Sequence, residues 1–140
     1  MSACESNDLS KWCIIGAGPS GLTALKNFLQ CGIQVDCIER EDDLGGNWYF
    51  GSSTSRVFES TKLISSKSLT QFTDFPMPQD WPEYPNHRQC LEYLHRYADH
   101  FGLRKHILFK NSVTHITPIK CNQVRQGWQV DFERSEEHTS

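Results

Sequence analysis

No stretch of these 140 residues approaches the ~20 apolar positions needed to cross a bilayer. Residues 1–11 form a polar arm without the apolar core of a secretory signal, so no membrane segment and no export are expected. A basic excess is missing too: the net charge is −3, which argues against nucleic acid as a partner. The six cysteines, Cys4, Cys13, Cys31, Cys37, Cys90 and Cys121, include no C-x-x-C pair, so no dithiol redox motif is present. All six are expected to be reduced, in a cytoplasmic protein, with Cys13 and Cys37 buried in strands as small hydrophobes. His87, His95, His100 and His106 share no ligand spacing, and are expected to be solvated or locally bonded rather than metal-binding. What remains is an ordinary globular balance, 37% hydrophobic, in a chain long enough for one domain with a real core.

What is present is a glycine loop in the right company. Trp12-Cys13-Ile14-Ile15 is an apolar strand candidate running into Gly16-Ala17-Gly18-Pro19-Ser20-Gly21, a Gly-x-Gly-x-x-Gly dinucleotide fingerprint. Gly16 permits the turn off the strand, Gly18 lets backbone approach a pyrophosphate, and Gly21 lets the next helix pack closely. Pro19 suits a first helical turn, whose free N–H groups and positive dipole end favour phosphate. Leu22, Leu25, Phe28 and Leu29 recur at helical spacing before Gly32, and Ile33–Ile38 reads as a second strand. It delivers Glu39 eighteen positions after Gly21, placed to accept hydrogen bonds from both ribose hydroxyls of an adenosine. Its charge repels a 2′-phosphate, so the site favours FAD or NAD over NADP.

Beyond the acidic turn Glu41-Asp42-Asp43, the run Leu44-Gly45-Gly46-Asn47-Trp48 suggests bare backbone pressed against a flat ligand. Residues 51–85 are irregular and rich in Ser, Thr and Pro. A span of that length inside a compact domain is usually functional. Here it is expected either to form a surface excursion with a short helix near 67–71 or to cover a cofactor, with Phe72, Phe75, Trp81 and Tyr84 folded back as an aromatic wall. A second long helix starts at an Asn86/Gln89 capping box, shows an apolar face of Cys90, Leu91, Leu94, Tyr97, Ala98 and Phe101, and ends at Gly102. Ile107–Phe109 reads as a third parallel strand. Residues 113–119 and 128–132 read as an antiparallel pair turning near Gln126-Gly127.

As a set, these residues resemble the N-terminal part of the flavin-containing monooxygenases. The resemblance runs from about Lys11 to Phe132 and rests on Gly16 to Gly21, Glu39, Gly45-Gly46-Asn47-Trp48 and Asp74-Phe75-Pro76-Met77-Pro78. Tyr84-Pro85-Asn86, Tyr97 to Leu103 and Gly127-Trp128-Gln129-Val130 carry it further. It implies an α/β, Rossmann-like FAD-binding domain: a parallel sheet with helices plus a small antiparallel β-meander, incomplete at the C-terminus. It further implies that Gly16 to Gly21 cradle the FAD pyrophosphate, that Glu39 holds the ribose, and that Gly46, Asn47 and Trp48 line the flavin side. In such enzymes NADPH reduces the flavin, O₂ adds to give a C4a-hydroperoxyflavin, and a small soft nitrogen or sulfur nucleophile takes the oxygen. Many members carry an Asn before a Ser-rich element where this chain has Ile64-Ser65-Ser66-Lys67. Ile64 cannot hydrogen-bond, so Ser65 and Ser66 are the candidates to substitute for that Asn.

The chain is accordingly expected to be a fragment, with residues 12–133 a partial FAD-binding domain and a second glycine motif downstream in the parent. Arg134-Ser135-Glu136-Glu137-His138-Thr139-Ser140 resembles the in-frame translation of a sequencing adapter and is expected to be a non-native tail. On this reading the fragment alone is inactive, lacking a hydride-donor site. The alternatives are a flavin-dependent NAD(P)H reductase or oxidase fragment and a non-catalytic FAD-binding module.

Overall fold

A computed structural model of the chain describes residues 10–135; most of the expected N-terminal arm and residues 136–140 of the expected tail lie outside the described residues. Strand β1 (Trp12–Ile15) leads into helix α1 (Pro19–Gln30) and strand β2 (Val35–Ile38). A 3₁₀ turn (Gly46–Trp48), the short helix α2 (Lys67–Thr70) and the long helix α3 (His87–His100) follow. A second 3₁₀ turn (Arg104–His106), strand β3 (Ile107–Leu108) and the hairpin strands β4 (Asn111–Cys121) and β5 (Val124–Arg134) complete the described chain. The order β1-β2-β3 is parallel throughout, with Trp12 opposite Val35 and Ile38 opposite Leu108. This is the expected α/β architecture, and its antiparallel part is a two-stranded hairpin.

Both long helices end as their sequences require. Ile33 N–H reaches Phe28 C=O and Gly32 N–H reaches Leu29 C=O, a Schellman closure of α1. Leu103 to Ala98 and Gly102 to Asp99 repeat it on α3. The Asn86/Gln89 capping box is present in both directions, at 3.0 Å each. Leu22 and Leu25 of α1, Val35 and Cys37 of β2, and Leu94, Tyr97 and Ala98 of α3 meet in one buried core. Tyr93 joins them, although the apolar spacing did not single it out, because its hydroxyl is satisfied: it donates to Phe75 C=O at 2.5 Å and accepts from Phe72 N–H at 2.7 Å.

Those bonds explain how the irregular 51–85 segment stays on the core. Phe72, Phe75 and Trp81 pack against it as expected, but Tyr84 is 49% exposed and does not join the wall. The Lys67 ammonium gathers three carbonyls, Pro78 at 3.2 Å and Gln79 and Trp81 at 2.7 Å, closing the loop on itself. Lys26 on α1 is buried and bonds Asp74, with the Phe101 ring 5.3 Å away. That hydrogen bond to Lys26 holds the Asp74 carboxyl below its ordinary value of 3.8. A depressed carboxyl stabilises the fold above its unfolded pKa and loses that contribution as pH falls through the folded one. The melting-temperature advantage of the native chain over Asp74→Asn should therefore be full at about pH 6 and vanish under strong acid, well below about pH 4. A gap that stays constant in acid would show that the pair is not coupled to folding.

Three expectations need correction. The hairpin turns at Asn122-Gln123, whose φ values of 49° and 67° make a two-residue turn that matches strand twist, not near Gln126-Gly127. Gly127 instead sits inside β5 opposite Ile119, where the register shifts at a bulge. Cys13 is exposed, not buried, because it faces an open groove between β1 and the β4–β5 hairpin. Cys13, Cys31, Cys37 and Cys90 are free thiols, but Cys121 is disulfide-bonded. Spacing along the chain carries no signal for such a pairing. Arg134 pairs with Asn111 across the ladder, and Ser135 bonds Lys110 C=O and Arg40 C=O.

Candidate functional site

The sheet places two loops face to face at the C-terminal ends of β1 and β2. Gly16 leaves β1 with φ 96°, its N–H bonded to Ile38 C=O at 2.8 Å. Ala17, fully buried, is gripped on both sides: its N–H donates to Glu39 Oε2 at 2.6 Å, and its carbonyl accepts from Gly45 N–H at 2.9 Å. Gly18 caps α1 without any side-chain bond, and Pro19 opens the helix. A Cβ on Gly21 would lie 1.8 Å from Gly16 carbonyl oxygen, so only hydrogen permits α1 to sit this close to the turn. A Cβ on Gly46 would lie 3.0 Å from Gly18 Cα, which brings two bare backbones together.

Glu39 is buried at 6% exposure directly after β2. One carboxylate oxygen accepts the Ala17 N–H and the other accepts Glu41 N–H at 2.9 Å. Each oxygen retains a further acceptor position, so the carboxylate is fixed in direction while still able to receive two hydroxyls. Gly16, Gly18, Glu39 and Gly46 line a single cavity of about 300 Å³, together with Arg40 and Asn111. Nothing lies within 4 Å of where a Gly16 Cβ would point, leaving room beside the turn. Beneath it Cys37 donates to Gly16 C=O at 3.4 Å, its thiol pushed up to about 12 by burial and by the Glu39 charge, and hence inert.

The remaining expected site residues are placed differently. Ser20 is exposed on the first turn of α1. Asn47 is exposed, and its side chain accepts Arg56 N–H at 2.8 Å, organising the next loop; Trp48 packs on the core. Ser65 and Ser66 are not brought to the cavity: Ser65 Oγ pairs with Thr70 Oγ1 at 2.6 Å and Ser66 Oγ with Ser68 Oγ at 3.0 Å. Ile64 beside them is completely exposed. Asn111, Ser112 and Val113 line the cavity without having been foreseen, because backbone bonds from Lys110 N–H to Glu41 C=O at 3.0 Å and from Asn111 N–H to Glu39 C=O at 2.9 Å bring the start of β4 there from far along the chain. Of the two expectations for His87, solvated or locally bonded, the first fails: it is only 2% exposed, with the Phe50 ring tilted against it at 4.9 Å and Glu59 3.9 Å from its Nε2. Among the described residues, no three His, Cys, Asp or Glu are grouped to hold a metal.

Bare backbone, a helix N-terminus and an oriented carboxylate around one cavity can bind phosphates and a vicinal diol; among the described residues that line it, Glu39 is the one carboxylate, and no His or Cys joins it. Comparison with known proteins finds the same architecture. S-allyl-L-cysteine S-oxygenase from Allium sativum superposes with a TM-score of 0.77 at 22% identity, over 89% of this chain and 32% of that one. Cyclohexanone monooxygenase from Rhodococcus sp. Phi1, bound to NADP⁺, gives 0.75 at 26% identity, over 90% and 23%. In sequence, flavin-containing monooxygenase 1 of Homo sapiens is 41% identical over 121 residues, or 84% of this chain and 23% of that protein. Flavin-containing monooxygenase 5 of Rattus norvegicus is 36% identical over the same length. The chain thus spans about a quarter of the length of the curated relatives it matches. The family model described as flavin-binding monooxygenase-like matches residues 10–140, glycine loop, acidic strand end and hairpin included, and the chain belongs to that family.

Proposed function

We propose that the cavity holds the adenosine and pyrophosphate of FAD, and that the whole protein is an NADPH-dependent monooxygenase acting on soft nitrogen or sulfur centres. The observation that carries this reading is the Glu39 carboxylate, oriented by Ala17 N–H and Glu41 N–H into the cavity that Gly16, Gly18 and Gly46 leave bare. Glu39 would take the ribose hydroxyls, and the backbone from Gly16 to Gly21 would take the pyrophosphate. Gly46, Asn47 and Trp48 would border the flavin side. Bound FAD would supply the redox and O₂ chemistry, with NADPH and O₂ as partners of the full-length protein. The chain's own residues bind and orient. A reductase or oxidase reading has one observation in its favour: Ile64, at the position where an Asn is common, is fully exposed and offers no hydrogen bond. No helix among the described residues is long and apolar enough to cross a membrane.

The test is titration of the 140-residue chain with FAD, followed by flavin fluorescence, with NADPH consumption measured alongside. Saturable one-to-one binding without NADPH oxidation is expected. No binding would overturn the cofactor assignment, and NADPH-dependent oxygenation of a tertiary amine or thioether would overturn the predicted inactivity of this chain alone.

A further inference from the structure

Behind the Gly45-Gly46 backbone lies a polar network that cofactor contacts do not require. Asp43 Oδ1 accepts Leu44 N–H at 2.8 Å, orienting the peptide that enters the glycine pair. Asp43 Oδ2 lies 3.1 Å from His95 Nε2, and Arg104 Nη1 lies 3.6 Å from Asp43 Oδ1. Arg104 also bonds His95 Nδ1 and, through Nε, Asp99 at 2.6 Å. A guanidinium only donates, so His95 Nδ1 must accept and its Nε2–H must point at Asp43. The network therefore has one self-consistent arrangement, and it ties the C-terminal end of α3 to the turn before Gly45.

Gly45 and Gly46, at φ 121° and 55°, carry no side chains to pack, so their path is set by the Gly45 N–H bond to Ala17 C=O at 2.9 Å and by their flanks. On the downstream flank, Trp48 N–H and Tyr49 N–H bond Gly45 and Gly46 carbonyls at 3.1 Å each. Asp43 is the upstream flank. We propose that His95 and Arg104 are positioning residues: acting through Asp43, they hold the Gly45-Gly46 backbone against Gly18 and so shape the phosphate-side wall of the cavity. This inference rests on the FAD reading given above.

A role confined to stability would lower the affinity for every ligand of the cavity together, whereas a positioning role separates them. The 140-residue chain and its Arg104→Met variant are titrated with FAD and with adenosine, which lacks the pyrophosphate. FAD affinity should fall about tenfold in the variant, the scale of a lost charged hydrogen bond, while adenosine stays within about twofold. Arg104→Lys keeps the charge but cannot bridge Asp99, His95 and Asp43 at once; it should show the same selective loss, and it provides the comparison if the Met variant does not fold. Unchanged FAD affinity, or a parallel loss for both ligands, would overturn the positioning role while leaving FAD binding intact. Failure of the unsubstituted chain to bind FAD would remove the underlying reading itself.

Discussion

Gly21→Ala should lower the melting temperature by about 10 °C or more, the largest effect expected of any single methyl group in this chain. Intrinsic propensity points the other way, since Ala is favoured over Gly inside a helix by about 1 kcal/mol. Sterics decide, because the added Cβ would meet Gly16 carbonyl oxygen at 1.8 Å and its carbon at 2.9 Å, both backbone atoms with no rotamer to change. Relief requires α1 to move off the strand, and the fully buried Leu22 and Leu25 move with it. Overpacking of this kind costs roughly 1–3 kcal/mol and sometimes more, and a contact this short belongs at the upper end. Gly18→Ala is the matched control. Its φ is −76° and its Cβ would make an ordinary 3.6 Å contact with Gly46 Cα, so thermal melting should change little while FAD binding weakens. Equal melting losses for the two variants would show that helix–turn contact is not what fixes the glycine at 21.

Glu39→Ala should weaken FAD by roughly 1.5–3 kcal/mol, or about ten- to a hundredfold, the range for hydrogen bonds to a charged group. Some loss of stability should accompany it, because the variant leaves the Ala17 N–H, in a fully buried residue, without the carboxylate that now accepts it at 2.6 Å. An orphaned buried donor costs about 1–3 kcal/mol. Glu39→Gln separates the two effects: its single amide oxygen can still take the Ala17 N–H while its NH₂ faces the Glu41 N–H, so melting should recover in part while the affinity for adenosine stays reduced. Calorimetric titration of both variants with adenosine and FAD checks this. Unchanged adenosine binding in Glu39→Ala would mean that the carboxylate is not at the ribose.

Much of this architecture is local, and local features can be read from sequence. The Gly-x-Gly-x-x-Gly loop, the capping box at Asn86 and Gln89 and the glycine stops at Gly32 and Gly102 each act over a few bonds, so residue type and spacing define them. The hairpin turn shows where that reasoning slips. Gly127 is the residue that looks like a turn, yet Asn122 and Gln123 make it, because a bulge in a strand and a turn between strands use the same residue. Tyr93 and His87 were missed for a different reason. Both are polar residues on an otherwise apolar helix face, and their burial depends on partners far away in the chain: Phe72 and Phe75 for one, Phe50 for the other.

By itself, then, the sequence determined the elements that depend on neighbours within one or two turns: strand, glycine turn, helix, second strand, and an acid at its end. Only the tertiary structure decided that Ala17 N–H would orient that acid and that Gly46 would close against Gly18. The same holds for the bridge from α3 to Asp43, and for the separation of Ser65 and Ser66 from the cavity. Each of these is a contact between segments whose sequence separation is set by loops of no fixed geometry. Their register follows from how helices and strands share one core, which no spacing along the chain encodes.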